Sequence, residues 1–99
     1  MNIQLLPDLE ERTPGYGDDD FIVIVFDNPV NTFEEVEDIL RLATGCTKRE
    51  ARMETWEVHH LGRSVVHHGT SQECERAASV IRTIGIVVEV RQESLSRNC

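Results

Sequence analysis

The chain has 99 residues, the size of one small domain, and its 18 acidic and 10 basic side chains give a formal net charge of -8. This charge opposes binding to phosphate backbones, so nucleic acid is excluded as a favoured partner. The longest apolar run, from Phe21 to Phe26, is far below the roughly 20 residues that span a bilayer, and no leader precedes it, so we expect a cytoplasmic protein outside the membrane.

The chain opens on a segment without sustained apolar periodicity. Residues 1–20 hold two prolines and two glycines and end in three aspartates, which predicts a flexible acidic arm. The run Phe21–Phe26 is β-branched and aromatic and predicts a strand. It is followed by Asp27, Asn28 and Pro29, a combination that favours a turn.

Three threonine capping boxes predict the starts of three helices: Thr32 with Glu35, Thr47 with Glu50, and Thr70 with Glu73. Apolar residues with helical spacing follow each box. Glycines suggest the ends: Gly45 stops the first helix, the second ends near His59 or His60 before Gly62, and Gly85 caps the third.

Two further short strands are predicted at Arg63–His68 and Ile86–Val90. The order is therefore β-α-α-β-α-β, an α+β domain at residues 21–92. We expect a three-stranded sheet, antiparallel or mixed, with the three helices packed on one face. Residues 93–99 predict a polar, fraying tail.

The histidines form two pairs, His59-His60 and His67-His68, separated by a glycine-containing segment, so a transition-metal site is conceivable. Neighbouring side chains on a strand point to opposite faces, which allows only one histidine of the second pair to face a given set of ligands. Solvated surface histidines are therefore the favoured interpretation, and no metal or cofactor is predicted.

Enzymatic chemistry has little support in the sequence. Cys46, Cys74 and Cys99 form no CxxC motif, and Cys74 falls on the predicted apolar face of the third helix. The acidic pairs early in the first helix suit the positive end of the helix dipole. No phosphate-binding loop, nucleophile elbow or zinc-protease motif occurs, so a non-catalytic binding protein is predicted.

Two segments carry a resemblance to a known family: the loop Asp27-Asn28-Pro29-Val30-Asn31 after the first strand, and Val58-His59-His60-Leu61-Gly62-Arg63 at the end of the second helix. Their order and place resemble those of the ClpS adaptors of the Clp protease, the bacterial N-end-rule recognition proteins. The resemblance covers roughly residues 21–91. It implies an adaptor that captures proteins by a bulky apolar N-terminal residue and delivers them to the N-domain of a Clp-family AAA+ unfoldase.

The resemblance also implies two sets of site residues. A free N-terminus is a cation with several donors, so it requires carbonyl, carboxylate or imidazole acceptors. The amine and first peptide bond would meet Asp27, Asn28, Asn31 and His59. The first side chain would enter a cavity lined by Phe33, Val36, Thr55, Val58 and Ile86. Asp27 stands where the family more often has asparagine, and Phe33 replaces the usual methionine.

Docking to the unfoldase is expected along the third helix, at Gln72, Glu75 and Arg76. The family often has an acidic residue and then a lysine there, whereas this chain has Gln72 and Ala77 at those places, with Glu75 and Arg76 as the nearest charged residues. We expect a monomer. An interaction domain of the same fold that binds a AAA+ chaperone without reading N-termini is the second hypothesis. A histidine-rich metal-binding module is the third.

Overall fold

The computed structural model describes residues 20–93. Most of the predicted arm and tail therefore lies outside the described residues. The elements are β1 (Phe21–Phe26), α1 (Phe33–Thr44), α2 (Lys48–Leu61), β2 (Arg63–Gly69), α3 (Ser71–Arg82) and β3 (Val88–Gln92). Their order confirms the predicted α+β fold.

The sheet is antiparallel, with strand order β2-β1-β3. The first strand is central, so both of its edges are paired with other strands. Val23 and Val25 join the core that the helices cover, whereas Ile22 and Ile24 lie outside that cluster and are also buried, at 5% and 4% exposed. Burial of both sets of side chains accounts for the continuous apolar run of this strand. Successive side chains point to opposite faces of a strand, so the helices cover one face.

The capping boxes form as predicted at Thr32, Thr47 and Thr70. In each box the threonine hydroxyl accepts the N–H of the glutamate three residues on, and that carboxylate accepts the threonine N–H. Gly45 and Gly62 close α1 and α2 in the left-handed region, with φ of 71° and 93°. Local signals therefore determine where these helices start and stop.

Five predicted boundaries were wrong. Two strands end later than predicted, β2 at Gly69 instead of His68 and β3 at Gln92 instead of Val90. The second helix continues to Leu61, because the N–H of Gly62 still bonds to the carbonyl of Val58 at 3.1 Å. The third helix is capped at Thr83, not at Gly85. The last strand begins at Val88 instead of Ile86, because the turn after α3 delays pairing with β1.

Within the described part of the chain, no helix combines the length and the apolar character needed to cross a membrane.

Candidate functional site

The end of β1 and the end of α2 meet at Asp27. Its N–H donates to the carbonyl of Gly62 at 2.9 Å. Its carboxylate Oδ1 lies 3.0 Å from Nδ1 of His59, in the last turn of α2. Two contacts from one residue thus hold a carboxylate and an imidazole side by side at one end of the domain.

The direction of the hydrogen bond in this pair follows from the chemistry of a carboxylate. An ionised Asp27 only accepts hydrogen bonds, so Nδ1 of His59 is the donor. In a neutral imidazole the other nitrogen, Nε2, then keeps its lone pair. The side chain of Asp27 is 36% exposed and that of His59 is 20% exposed, so both reach the surface. Together they present a carboxylate and, when the imidazole is neutral, the acceptor Nε2.

The loop after β1 is held by its two asparagines. Oδ1 of Asn28 accepts the N–H groups of Val30 at 3.1 Å and of Asn31 at 2.9 Å, and its Nδ2 donates to Oδ1 of Asn31. Nδ2 of Asn31 donates to the carbonyl of Ile84 at 2.9 Å. The amide of Asn28 therefore shapes the loop, and that of Asn31 ties the loop to the turn after α3.

The same asparagine connects the loop to α1. Nδ2 of Asn31 also lies 3.2 Å from Oε1 of Glu35. The hydrogen bond from the backbone of Thr32, and then that from Asn31, hold the pKa of the Glu35 carboxyl below its usual value. The loop and the first turn of α1 thus share one hydrogen-bond network.

Phe33, the first residue of α1, lies beside this pair. Its ring centroid is 5.6 Å from that of His59, with the ring planes tilted by 36°. The side chain is half-buried. An aromatic surface therefore adjoins the carboxylate and the imidazole.

The other predicted cavity residues belong to the core. Val36, Thr55 and Val58 are 0% exposed and Ile86 is 3% exposed. The hydroxyl of Thr55 donates to the carbonyl of Ala51 at 2.6 Å, so its polar atom is satisfied within α2. Val36, Val58 and Ile86 thus belong to one hydrophobic cluster, and Thr55 is buried as well, so all four side chains are enclosed.

An open groove of about 500 Å³ lies next to Phe33, lined also by Arg52, Met53, Trp56 and Glu57. These four residues were not among the predicted site residues. The sequence held one signal for them: Met53 and Trp56 are three residues apart, on a face of α2 that does not coincide with its core face. Spacing alone does not tell which residues of α1 lie opposite Met53 and Trp56, because that depends on how the two helices pack.

The predicted docking residues Gln72, Glu75 and Arg76 are exposed on α3. Their spacing places them on one face of the helix. The opposite face, with Cys74 and Ala78, is buried, and burial raises the pKa of the Cys74 thiol. The three residues are therefore accessible to a partner.

The four histidines do not converge. His59 faces Asp27, and His60 stacks on the indole one turn earlier in α2. On β2, His67 is half-buried and His68 is exposed. Across the part of the chain that the structure describes, no group of three or more histidine, cysteine or acidic side chains is arranged to hold a metal ion.

Comparison with known protein families identifies the family of this chain. A family model described as the ATP-dependent Clp protease adaptor protein ClpS matches residues 17–89. The chain belongs to the ClpS family. This match confirms the predicted resemblance. ClpS proteins are adaptors of the Clp protease. This chain is therefore an adaptor and not an enzyme, and it works with the Clp protease system.

Individual relatives agree with this assignment. The ClpS adapter proteins of Streptomyces avermitilis and Streptomyces coelicolor are 32% and 30% identical over 73 residues, which is 74% of this chain and 70% and 76% of the relatives. The human E3 ubiquitin-protein ligase UBR2 is 38% identical over 63 residues, 64% of this chain but 4% of that protein. Similarity to UBR2 is therefore confined to a small part of it.

A solved structure shows the same fold. Agrobacterium tumefaciens ClpS2, bound to L-phenylalaninamide, superposes with a TM-score of 0.69 at 16% sequence identity, covering 74% of this chain and 95% of that one. The ClpS fold thus extends over the domain described above.

Proposed function

We propose that this adaptor binds proteins through a free N-terminus whose first side chain is bulky and apolar (Phe, Tyr, Trp or Leu) and delivers them to a Clp-family AAA+ unfoldase. The observation that carries the proposal is the Asp27–His59 pair, 3.0 Å apart at the surface and next to the half-buried ring of Phe33. Charge and apolar surface are thus combined at one point.

The pair matches the chemistry of an N-terminal amine. An α-ammonium group is a cation with several N–H donors. It can donate a charge-assisted hydrogen bond to the carboxylate of Asp27 and a second hydrogen bond to Nε2 of His59 when that imidazole is neutral. Asn31 would meet the first peptide bond, and Asn28 would act by holding the loop in place, since its Oδ1 already accepts two backbone N–H groups.

The ligand of the structural relative supports the same chemistry. L-Phenylalaninamide, to which the Agrobacterium protein is bound, has an α-amine, a benzyl side chain and a carboxamide in place of the next peptide bond. These are the groups that the first residue of a protein would present here. We assign the amine to Asp27 and His59 and the side chain to the space beside Phe33.

The floor of that space would be formed by Val36, Thr55, Val58 and Ile86. Helical spacing supports this placement, because Val36 is three residues after Phe33 on α1, and Thr55 is four residues before His59 on α2. These side chains are enclosed at present, so the first side chain of a substrate would enter only as Phe33 moves aside. We therefore propose that Phe33 determines which first side chains of a substrate can enter.

A second candidate function is favoured by the same enclosure. If Phe33 does not move, the four buried side chains are simply core, and the protein binds a Clp unfoldase without reading N-termini. Docking in both cases would use the exposed face of α3 with Gln72, Glu75 and Arg76, and the adaptor would act as a monomer.

Peptides that differ only in their first residue distinguish the two candidates. Binding to the full chain is measured by isothermal titration calorimetry for peptides that begin with Phe, Leu or Ala. The proposed function gives clear binding of the first two and weak binding of the Ala peptide. Equal and weak binding of all three, together with retained binding to a Clp unfoldase, would establish the second candidate.

A further inference from the structure

The groove between Phe33 and Trp56 exposes apolar surface in a chain rich in charge. Met53 is 57% exposed and Trp56 is 49% exposed, although both are side chains that contribute strongly to binding surfaces. The groove contains both and is bounded by Arg52 and Glu57. Its volume, about 500 Å³, suits one or two side chains of an extended peptide.

The wall of the groove is held in a fixed position. The rings of Trp56 and His60 stack with centroids 4.4 Å apart and planes 12° apart. Nδ1 of His60 lies 3.0 Å from the carbonyl of Trp56, which anchors the histidine to the helix backbone. An indole that is already ordered loses little conformational freedom when a ligand side chain contacts it.

The groove is continuous with the Asp27–His59 pair through Phe33. That ring lines the groove and also lies 5.6 Å from the ring of His59. An extended peptide advances about 3.3–3.6 Å per residue. The separation of the His59 and Phe33 rings corresponds to one or two residues of such a peptide, so we infer that a chain whose amine is held at Asp27 and His59 brings its second or third residue to the groove that Phe33 lines.

The charged side chains that line the groove are Arg52 and Glu57, one of each sign. Their charges offset each other, and a neutral, apolar side chain can enter between them without bringing an unpaired charge into the groove.

We propose that the groove of Phe33, Met53 and Trp56 is a second subsite, which binds an apolar side chain at the second or third position of the substrate. The inference rests on the proposed function and extends it. Recognition then depends on a short sequence rather than on the first residue alone. A leucine there should strengthen binding about fivefold to twentyfold relative to glycine, the effect of burying part of one aliphatic side chain.

The test uses four peptides of equal length: Phe-Gly-Gly, Phe-Leu-Gly, Phe-Gly-Leu and Ala-Leu-Gly, each followed by the same polar tail. Affinities for the full chain are measured by calorimetry. Emission of Trp56, the single tryptophan of the chain, reports occupation of the groove without a label. We expect one leucine peptide to bind more tightly than Phe-Gly-Gly and to change the emission.

Substitutions on α2 test whether the groove residues cause the gain in affinity from leucine. Met53→Ala and Trp56→Ala should remove the advantage of leucine and leave the affinity for Phe-Gly-Gly nearly unchanged. Leu61→Ala is the matched control, because Leu61 is 66% exposed on the same helix but does not line the groove. This variant should keep the full advantage.

Three results would overturn the inference in different ways. If Phe-Gly-Gly binds but leucine adds nothing, the amine site remains and the second subsite is refuted. If the leucine advantage survives in both groove variants, or if these variants weaken only the binding of a Clp unfoldase, the groove has another occupant. If none of the three Phe peptides binds more tightly than Ala-Leu-Gly, the proposed function fails and the subsite with it.

Discussion

Nδ1 of His59 lies 3.0 Å from Oδ1 of Asp27, although 32 residues separate the two in the chain. The N–H of Asp27 bonds in addition to the carbonyl of Gly62, so the loop after β1 is joined to the end of α2 by backbone and by side chain. This double contact fixes the carboxylate against the ring. It creates the acceptor pair on which the proposed recognition of an N-terminal amine depends.

Replacing Asp27 tests the charge of this pair. Asp27→Ala removes the carboxylate, and we expect the binding free energy for a Phe-initiated peptide to weaken by about 1–2 kcal/mol. This loss is at the lower end of what removal of one charged partner costs, because the side chain of Asp27 is partly exposed to solvent. Asp38→Asn removes an acidic group from the exposed face of α1 and should change affinity little. Fluorescence anisotropy with a labelled peptide measures the affinity of both variants. Equal losses in the two would mean that the overall negative charge of the protein, and not the carboxylate of Asp27 itself, attracts the peptide.

Phe33→Ala tests control of the first side chain. Loss of the ring should admit β-branched first residues such as Ile and Val, because a site rejects shapes through what it cannot move aside. The ring is only half-buried, so we expect a loss of stability of about 1–2 kcal/mol, below the roughly 3–5 typical of a fully buried phenylalanine. A thermal melt beside the binding series separates the two effects; a large destabilisation with unaltered preference would make Phe33 a core residue only.

Asn31→Ala tests the attachment of the loop. The variant removes the donor to the carbonyl of Ile84, a contact across 53 residues, and should cost about 1 kcal/mol of stability. Peptide affinity should fall as well, because the loop that carries Asp27 loses its link to the turn after α3. Val30→Ala, at an exposed position of the same loop, is the control for both denaturant unfolding and binding. Unchanged affinity in the Asn31 variant would show that the link does not position the site.

The pH dependence of stability should depend on Glu54. Its Oε1 is buried without a hydrogen-bond partner among the described residues, and burial, with Glu50 and Glu57 nearby, raises the pKa of its carboxyl from 4.5 to about 7. Between pH 4.5 and about pH 7 the carboxyl of Glu54 is protonated in the folded state and ionised in the unfolded state. The favourable contribution is therefore fully present below pH 4.5 and is lost as pH rises through 7.

Glu54→Gln should abolish this dependence. The neutral amide should match the wild type at pH 5 and exceed it by about 1–2 kcal/mol at pH 8, a figure reduced for the solvent that reaches the half-buried side chain. Glu75→Gln, on the exposed face of α3, is the control and should behave as the wild type at both pH values. Urea unfolding at the two pH values measures the difference, and a parallel loss of stability in wild type and Glu54→Gln would assign it to other groups.

Local patterns in the sequence predicted the elements well. Each capping box needs only a threonine and a glutamate three residues apart, and all three boxes formed. The start of β3 was wrong because it depends on how many residues the turn after α3 uses, which the apolar run from Ile86 does not encode.

The site was less accessible to sequence reasoning. Asp27 and His59 were brought together only by resemblance to a family, since no periodicity relates residues so far apart. The role of Asn28 depends on a side-chain orientation: its oxygen points to the backbone of its own loop. The groove at Trp56 depends on which surfaces of α1 and α2 remain uncovered after the helices pack, and helical spacing alone does not determine that.

The most direct test of the account compares a Phe-initiated peptide with the same peptide acetylated at its N-terminus. Acetylation removes the cation and two of its donors but leaves the apolar side chain and the rest of the sequence unchanged. Calorimetry on the full chain should show tight binding of the free peptide and nearly none of the acetylated one. Equal affinity of the two would contradict recognition of the amine by Asp27 and His59.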